Sequence, residues 1–237
     1  MGLDNKPVIA SVAIAALVLA IAALVIASLC LNKLQPAPAQ PLPTFHVLIA
    51  TAGRPSLRGM LNSLLPQLRT GDAVTIVFDG ADAHAKSTYT PEWTAGSAAA
   101  VHVYDQTPNL GFHGHGIRNA YQQQLATKTT YIMHADDDDE YTPDAFATLR
   151  QHCADPGTLY VAQMSMQGDL LPKEERMIGG KLGEWNIGTP CGVIPFGRAG
   201  EAEWAHQYGG DCMYYLGLEA AGVPMEFIKH IIYNVRP

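Results

Sequence analysis

The stretch Tyr131–Phe146, YIMHADDDDEYTPDAF, sets four aspartates and a glutamate directly behind a short apolar run. Clustered carboxylates repel, and each is driven toward protonation unless a cation compensates. A hard divalent ion resolves the conflict, because Mg²⁺ or Mn²⁺ takes one or two protein carboxylates and fills its other positions with water and phosphate oxygens. In an extended turn alternate side chains share a side, so Asp136 and Asp138 face a ligand together and Asp137 faces away. The same run also reads as a solvated acidic turn in which Asp139 or Asp144 serves the N-terminus of the next helix. An EF-hand counted from Asp136 fails, since its sixth position needs glycine and holds Tyr141.

Working outward, FHVLIA (Phe45–Ala50), AVTIVF (Ala73–Phe78), AVHVY (Ala100–Tyr104) and TYIMH (Thr130–His134) read as strands, each ending in a turn or loop. Between the first two, Leu57, Met60, Leu61, Leu64, Leu65 and Leu68 recur at helical spacing behind Ser56 as cap, with Pro66 bending the last turn. A second helix is expected over 114–126. A third starts with Thr142 as cap and Pro143 at its first position. Strands alternating with helices predict an α/β fold with a mostly parallel sheet covered by helices on both faces. Ligands bind such sheets at the carboxyl ends of the strands, where Asp79, the Asn109 loop and the aspartate run all fall. After Leu159 short strands, glycine loops and a helix near Asp211–Ala221, closed by Gly222, are expected to shape an acceptor pocket rather than extend the parallel sheet.

The chain has 237 residues and a net charge of −7, which argues against nucleic acid as a partner. Between Pro7 and Leu31 no residue is charged. Some ~24 helical residues span about 36 Å, enough for a hydrocarbon core of about 30 Å. The apolar core of a cleaved signal peptide is only about 7–15 residues, so the run predicts an uncleaved single-pass anchor. Asp4, Lys6 and Lys33 leave its orientation open. LQPAPAQPLPT (Leu34–Thr44) follows as a proline-rich stem. The expected organisation is thus tail and transmembrane helix over 1–33, stem over 34–44 and one domain over 45–237. Cys153, Cys191 and Cys212 show no CxxC spacing, and a Cys191–Cys212 bridge is left open by the sequence.

YIMHADDDDEYTPDAF resembles the strand, D-x-D-D and proline of nucleotide-sugar glycosyltransferases with the GT-A fold, especially the family-2-like enzymes. Four further pieces resemble the family in the same order: VLIATAGRP (Val47–Pro55), VTIVFDG (Val74–Gly80), NLGFHGHGIRNAY (Asn109–Tyr121), and IGTPCGVIPFG with YGGDCMYYLGLEAAG (Ile187–Gly197 and Tyr208–Gly222). The resemblance implies a metal-dependent, inverting transfer of one sugar from a nucleoside-diphosphate donor, UDP-linked by the family's habit, to a glycan, lipid or protein acceptor. It implies that Asp138 coordinates Mn²⁺ or Mg²⁺ bridging the diphosphate and that Asp136 contacts the ribose or a metal-bound water, with Asp137 beside them. Asp79 would accept from the nucleobase, with Thr51, Arg54 and Asn109 around it, and Arg118 would add a bidentate phosphate contact. Asp211 matches the general base, although Gly210 stands where the family commonly has Glu. The basic acceptor motif of processive synthases is absent, which implies addition of single sugars.

Other residues carry alternatives. His230 in FIKHIIYNV reads as an additional metal ligand or as a strand residue. His113 and His115 reach phosphate or metal, or are loop histidines. Trp185, Trp204 and Tyr208 can stack on a sugar, though at least two of them are expected to be packing aromatics. GFHGHGIRN fails as a dinucleotide fingerprint, since Asn119 stands where the third glycine belongs. Two rival functions remain at this level, a sugar nucleotidyltransferase and a catalytically silent membrane-tethered binding module.

Overall fold

The first four predicted strands form, each extended by one to two residues at its carboxyl end. In a computed structural model describing residues 20–26, 28, 41–176, 181–183 and 185–236, β1 is Phe45–Thr51, β2 Ala73–Asp79, β3 Ala100–Gln106 and β4 Tyr131–Asp136. Every residue of β1 and β2 is buried, as continuous β-branched runs covered on both faces should be. These strands pair in parallel, β1 with both β2 and β4, and β2 with β3. Registers Ala50↔Asp136 and Thr51↔Phe78 bring Thr51, Asp79 and Asp136 to one edge.

The expectation of a mostly parallel sheet does not hold. The sheet is mixed, because the second half of the chain does extend it. β8 (Gly192–Pro195) pairs antiparallel with β4, and β6 (Leu159–Met166) antiparallel with β8. β9 (Met225–Val235) runs parallel to β6, β5 (Glu140–Tyr141) antiparallel to β9, and β7 (Asp169–Leu171) antiparallel to β6. The apolar, fully buried GVIP of β8 explains this: it closes the open side of β4, which a parallel strand would otherwise have to reach by a crossover.

Helix α1 (Leu57–Leu64) buries Leu57, Met60, Leu61 and Leu64 as its spacing foretold, and passes into a 3-10 turn at Pro66. Ser56 stands at its N-cap but makes no side-chain cap bond. A short turn, α2, covers Ala83–Lys86, and α3 covers His115–Tyr121, ending earlier than expected. Helix α4 begins at Ala145 rather than Pro143. Thr142 is held instead as an extension of β5, its N–H donating to Ile232 O (2.9 Å) and its Oγ1 to Ile231 O (2.8 Å). Helix α5 covers Gly210–Ala220.

A buried carboxylate ties the sheet to α4. Asp72 accepts from the N–H of Phe45 and of Arg69, both at 2.9 Å, and pairs with Arg150, whose guanidinium lies over the rings of Phe45 and Phe146. Cys153, Cys191 and Cys212 are all buried and free, so no Cys191–Cys212 bridge forms.

Residues 1–41 and 42–237 form separate units. The expected anchor and stem fall largely outside the described residues, of which 20–26 and 28 are helical. Among the described residues no helix is long and apolar enough to cross a membrane.

Candidate active site

Two cavities open at the carboxyl end of β4, the first of them also at the ends of β1 and β2. The first, of about 390 Å³, is lined by Thr51, Arg54, Asp79, Asn109, Asp136 and Asp138 among others. The second, of about 380 Å³, has Asp211, His115, Trp185 and Tyr208 on its wall. Asp136 and His113 line both, so the cavities meet there.

The turn after β4 alternates as an extended chain must. The Asp136 and Asp138 carboxylates are 32% and 41% exposed, while Asp137 is fully buried. Asp137 therefore does not line the first cavity. Thr51 Oγ1 donates to Asp137 Oδ2, Arg54 Nη2 approaches its Oδ1 at 2.6 Å, and Arg54 Nη1 pairs with Asp138. Burial pushes the Asp137 carboxyl up, against the downward pull of Thr51 and Arg54. Burial works against the Arg54 charge, but Asp137 and Asp138 outweigh it and hold the guanidinium above its ordinary value. Asp139 is buried, accepts from the Arg236 N–H (2.9 Å) and is pushed up to about 7 by burial.

Asp79 shapes the neighbouring loop. Its Oδ1 and Oδ2 accept from the N–H groups of Leu110 (2.7 Å) and Gly111 (2.9 Å), and Asn109 Nδ2 donates to Asp79 O (2.9 Å).

Arg118 stands elsewhere than its resemblance implied. It is fully buried and lines neither cavity. Nη2 donates to Asp136 Oδ1 at 2.5 Å, Nη1 to His113 O at 2.8 Å, and the guanidinium lies 4.9 Å from the centre of the Trp204 ring. A guanidinium sunk beside the indole cannot also clasp a phosphate in the open cavity, and what it reaches there is Asp136. Tyr233 was invisible in the sequence as a site residue, yet its hydroxyl accepts from the Asp136 N–H at 3.0 Å.

Asp211 sits in the first turn of α5, where its Oδ1 accepts from the Cys212 N–H at 2.8 Å. His230 does not line the cavity that Asp138 lines. The β6–β9 ladder is irregular between Ile228 and Ile231, which leaves His230 exposed on β9, with Nε2 3.4 Å from Thr148 Oγ1 of α4. Among the described residues no group of three or more His, Cys, Asp or Glu gathers as a ligand set. Of the three candidate stacking aromatics only Trp204 is packed inside. Trp185 and Tyr208 are 60% and 86% exposed.

Several solved structures resemble this one. S. aureus TarS in complex with UDP-GlcNAc superposes with a TM-score of 0.56 at 16% identity, over 81% of this chain and 58% of that one. The same protein with UDP gives 0.54 at 16% identity, over 81% and 60%. The mannosyltransferase PcManGT from Pyrobaculum calidifontis, in complex with GDP-Man and Mn²⁺, gives 0.59 at 13% identity, over 85% and 59%. The chain thus spans about three-fifths of the length of each of these chains. No protein-family model and no curated protein matches it by sequence. At these identities the likeness establishes architecture alone: the chain carries the α/β fold of TarS and of a mannosyltransferase.

Proposed function

We propose that the chain is a glycosyltransferase that moves one sugar from a nucleoside-diphosphate donor, UDP-linked or otherwise, to an acceptor hydroxyl with inversion. The observation that carries this reading is the meeting of two cavities at Asp136, one walled by Asp138 and Arg54 and the other by Asp211. A donor in the first cavity and an acceptor in the second would meet at that junction. The shared fold adds support, since the structures it matches hold UDP-GlcNAc, UDP or GDP-Man.

In this reading Thr51, Asp79 and Asn109 form the nucleoside end of the first cavity. Asp138 would hold Mn²⁺ or Mg²⁺, with Asp136 beside it. The donor set fits such an ion, because Asp138 presents a part-open carboxylate to the cavity and these ions need only one or two. When bound, the ion supplies Lewis-acid charge against the diphosphate. Arg54, which pairs with Asp138, becomes available to the diphosphate when that carboxylate is engaged elsewhere. Arg118 fixes Asp136 from behind. Asp211 accepts the proton of the acceptor hydroxyl as its oxygen attacks the anomeric carbon opposite the leaving group. We further propose that the apolar run 7–31 tethers this domain to a membrane, which alkaline extraction of membranes from expressing cells tests.

Calorimetric titration with UDP and GDP, with and without Mn²⁺, tests the central reading. Metal-dependent nucleotide binding is expected, and metal-independent or absent binding overturns it.

A further inference from the structure

The second cavity contains two features that general-base chemistry does not require: an exposed pair of aromatic rings and a histidine of fixed tautomer. Trp185 and Tyr208 stack on one another with centroids 5.9 Å apart and planes 26° from parallel, and both line the cavity. Trp185 is held in place despite its φ of +58°, a region unfavourable to a bulky residue. Its backbone N–H donates to Cys212 Sγ at 3.3 Å, which ties the main chain at this point to α5.

Gly209 and Gly210 make room for this arrangement. A Cβ on Gly209 would meet Trp185 Cζ3 at 2.2 Å, and one on Gly210 would meet His115 Nδ1 at 2.7 Å and Ala205 O at 2.1 Å. The two glycines therefore form a seat against which the indole and the imidazole rest, immediately before Asp211. His115 Nδ1 lies 2.8 Å from Ala205 O. A carbonyl only accepts, so Nδ1 carries the hydrogen and, in the neutral ring, Nε2 is left as an acceptor. Burial lowers the His115 pKa and favours that neutral form.

A pyranose matches this wall. It has an apolar C–H face to lie on an aromatic ring and hydroxyls on neighbouring carbons to donate to two fixed acceptors. We propose that the second cavity is a subsite for a pyranose acceptor, with Trp185 and Tyr208 as its platform. In it, His115 Nε2 accepts from the hydroxyl next to the one that faces Asp211. The role given to Asp211 rests on the glycosyltransferase reading, whereas binding of the sugar does not.

The full chain is titrated with methyl β-D-glucopyranoside, methyl α-D-mannopyranoside and the methyl glycoside of N-acetylglucosamine, followed by saturation-transfer NMR, with and without UDP and Mn²⁺. Octanol and phosphatidylglycerol vesicles form the apolar arm. At least one pyranoside is expected to bind at millimolar concentration, and Trp185→Ala is expected to weaken it about tenfold while leaving nucleotide binding unchanged. His115→Ala should abolish discrimination between that pyranoside and its monodeoxy analogues, which a merely structural role would not do. Circular dichroism checks that both variants fold. Nucleotide binding without any pyranoside binding, binding of the apolar probes alone, or wild-type affinity in Trp185→Ala overturns the subsite. Pyranoside binding without metal-dependent nucleotide binding upholds the subsite and overturns the transferase reading.

Discussion

Arg118 donates from Nη2 to Asp136 Oδ1 at 2.5 Å while being itself sealed from solvent. The carboxylate of Asp136, which lines both cavities, is therefore aimed from inside the protein. Arg118→Ala removes the cation and leaves Asp136 facing an empty site. Breaking a buried pair costs about 3–5 kcal/mol, and the partial exposure of Asp136 puts this case at the lower end, near 3 kcal/mol. Arg118→Lys keeps the charge but replaces the planar fork that reaches Asp136 and His113 O beside Trp204 with a single compact ammonium. It is expected to be less stable than wild type by denaturant unfolding and to bind nucleotide more weakly.

In the proposed transferase, Asp138 and Asp211 separate binding from transfer. Asp138→Ala is expected to lose Mn²⁺-dependent nucleotide affinity and turnover together. Asp211→Asn is expected to keep that affinity and lose transfer by about 10²–10⁴-fold, the range of a positioned acid–base group. Calorimetry and donor-consumption assays on the same preparations check both. Near wild-type turnover in Asp211→Asn would remove the proposed base.

Asp72 lies far from either cavity and bears on stability only. Its carboxylate is fully buried and Arg150 is nearly so. Replacing either by alanine leaves the other charge buried without its partner, so a loss of about 3–5 kcal/mol is expected in urea unfolding. Nucleotide affinity should be unaltered in any fraction that remains folded.

His46 sets a pH dependence of known sign. Nδ1 lies 2.8 Å from Thr127 O and Nε2 2.8 Å from Thr75 Oγ1, and burial lowers its pKa from 6.5 to about 4. A depressed folded-state pKa means that the unfolded chain takes the proton first. The His46 contribution is thus complete above pH 6.5 and is lost as pH falls toward 4, by about 3 kcal/mol in all. Asp139, raised by burial, acts in the opposite sense across this window. The wild type is therefore compared with His46→Gln at each pH, and the difference between them should be constant above pH 7 and move against the wild type below 6.5. A difference independent of pH would show that His46 titrates normally.

The parallel half of the sheet was legible because strands buried on both faces must be continuous apolar runs, and FHVLIA and AVTIVF are such runs. Their carboxyl ends then located Thr51, Asp79 and Asp136, and simple alternation separated Asp137 from its neighbours. What stayed hidden depends on partners distant in sequence. Nothing in NLGFHGHGIRNAY reveals that Trp204 roofs Arg118, with Asn119 Nδ2 donating to Trp204 O at 2.9 Å to keep it there. The glycine before Asp211 looked like a departure from a motif. Its reason is the His115 ring lying against it, a contact that no local pattern encodes. The ladder irregularity that turns His230 outward is equally a property of two strands together.

The free thiols give the domain a built-in clock. Cys153 and Cys191 are 2% and 0% exposed, and burial pushes the Cys191 thiol up to about 12 and raises that of Cys153. An alkylating reagent therefore meets no thiolate at either position until the chain opens. The rate at which these two sulfurs are capped reports how often the native fold breathes, and neither sulfur is tied in a bridge that must first be reduced.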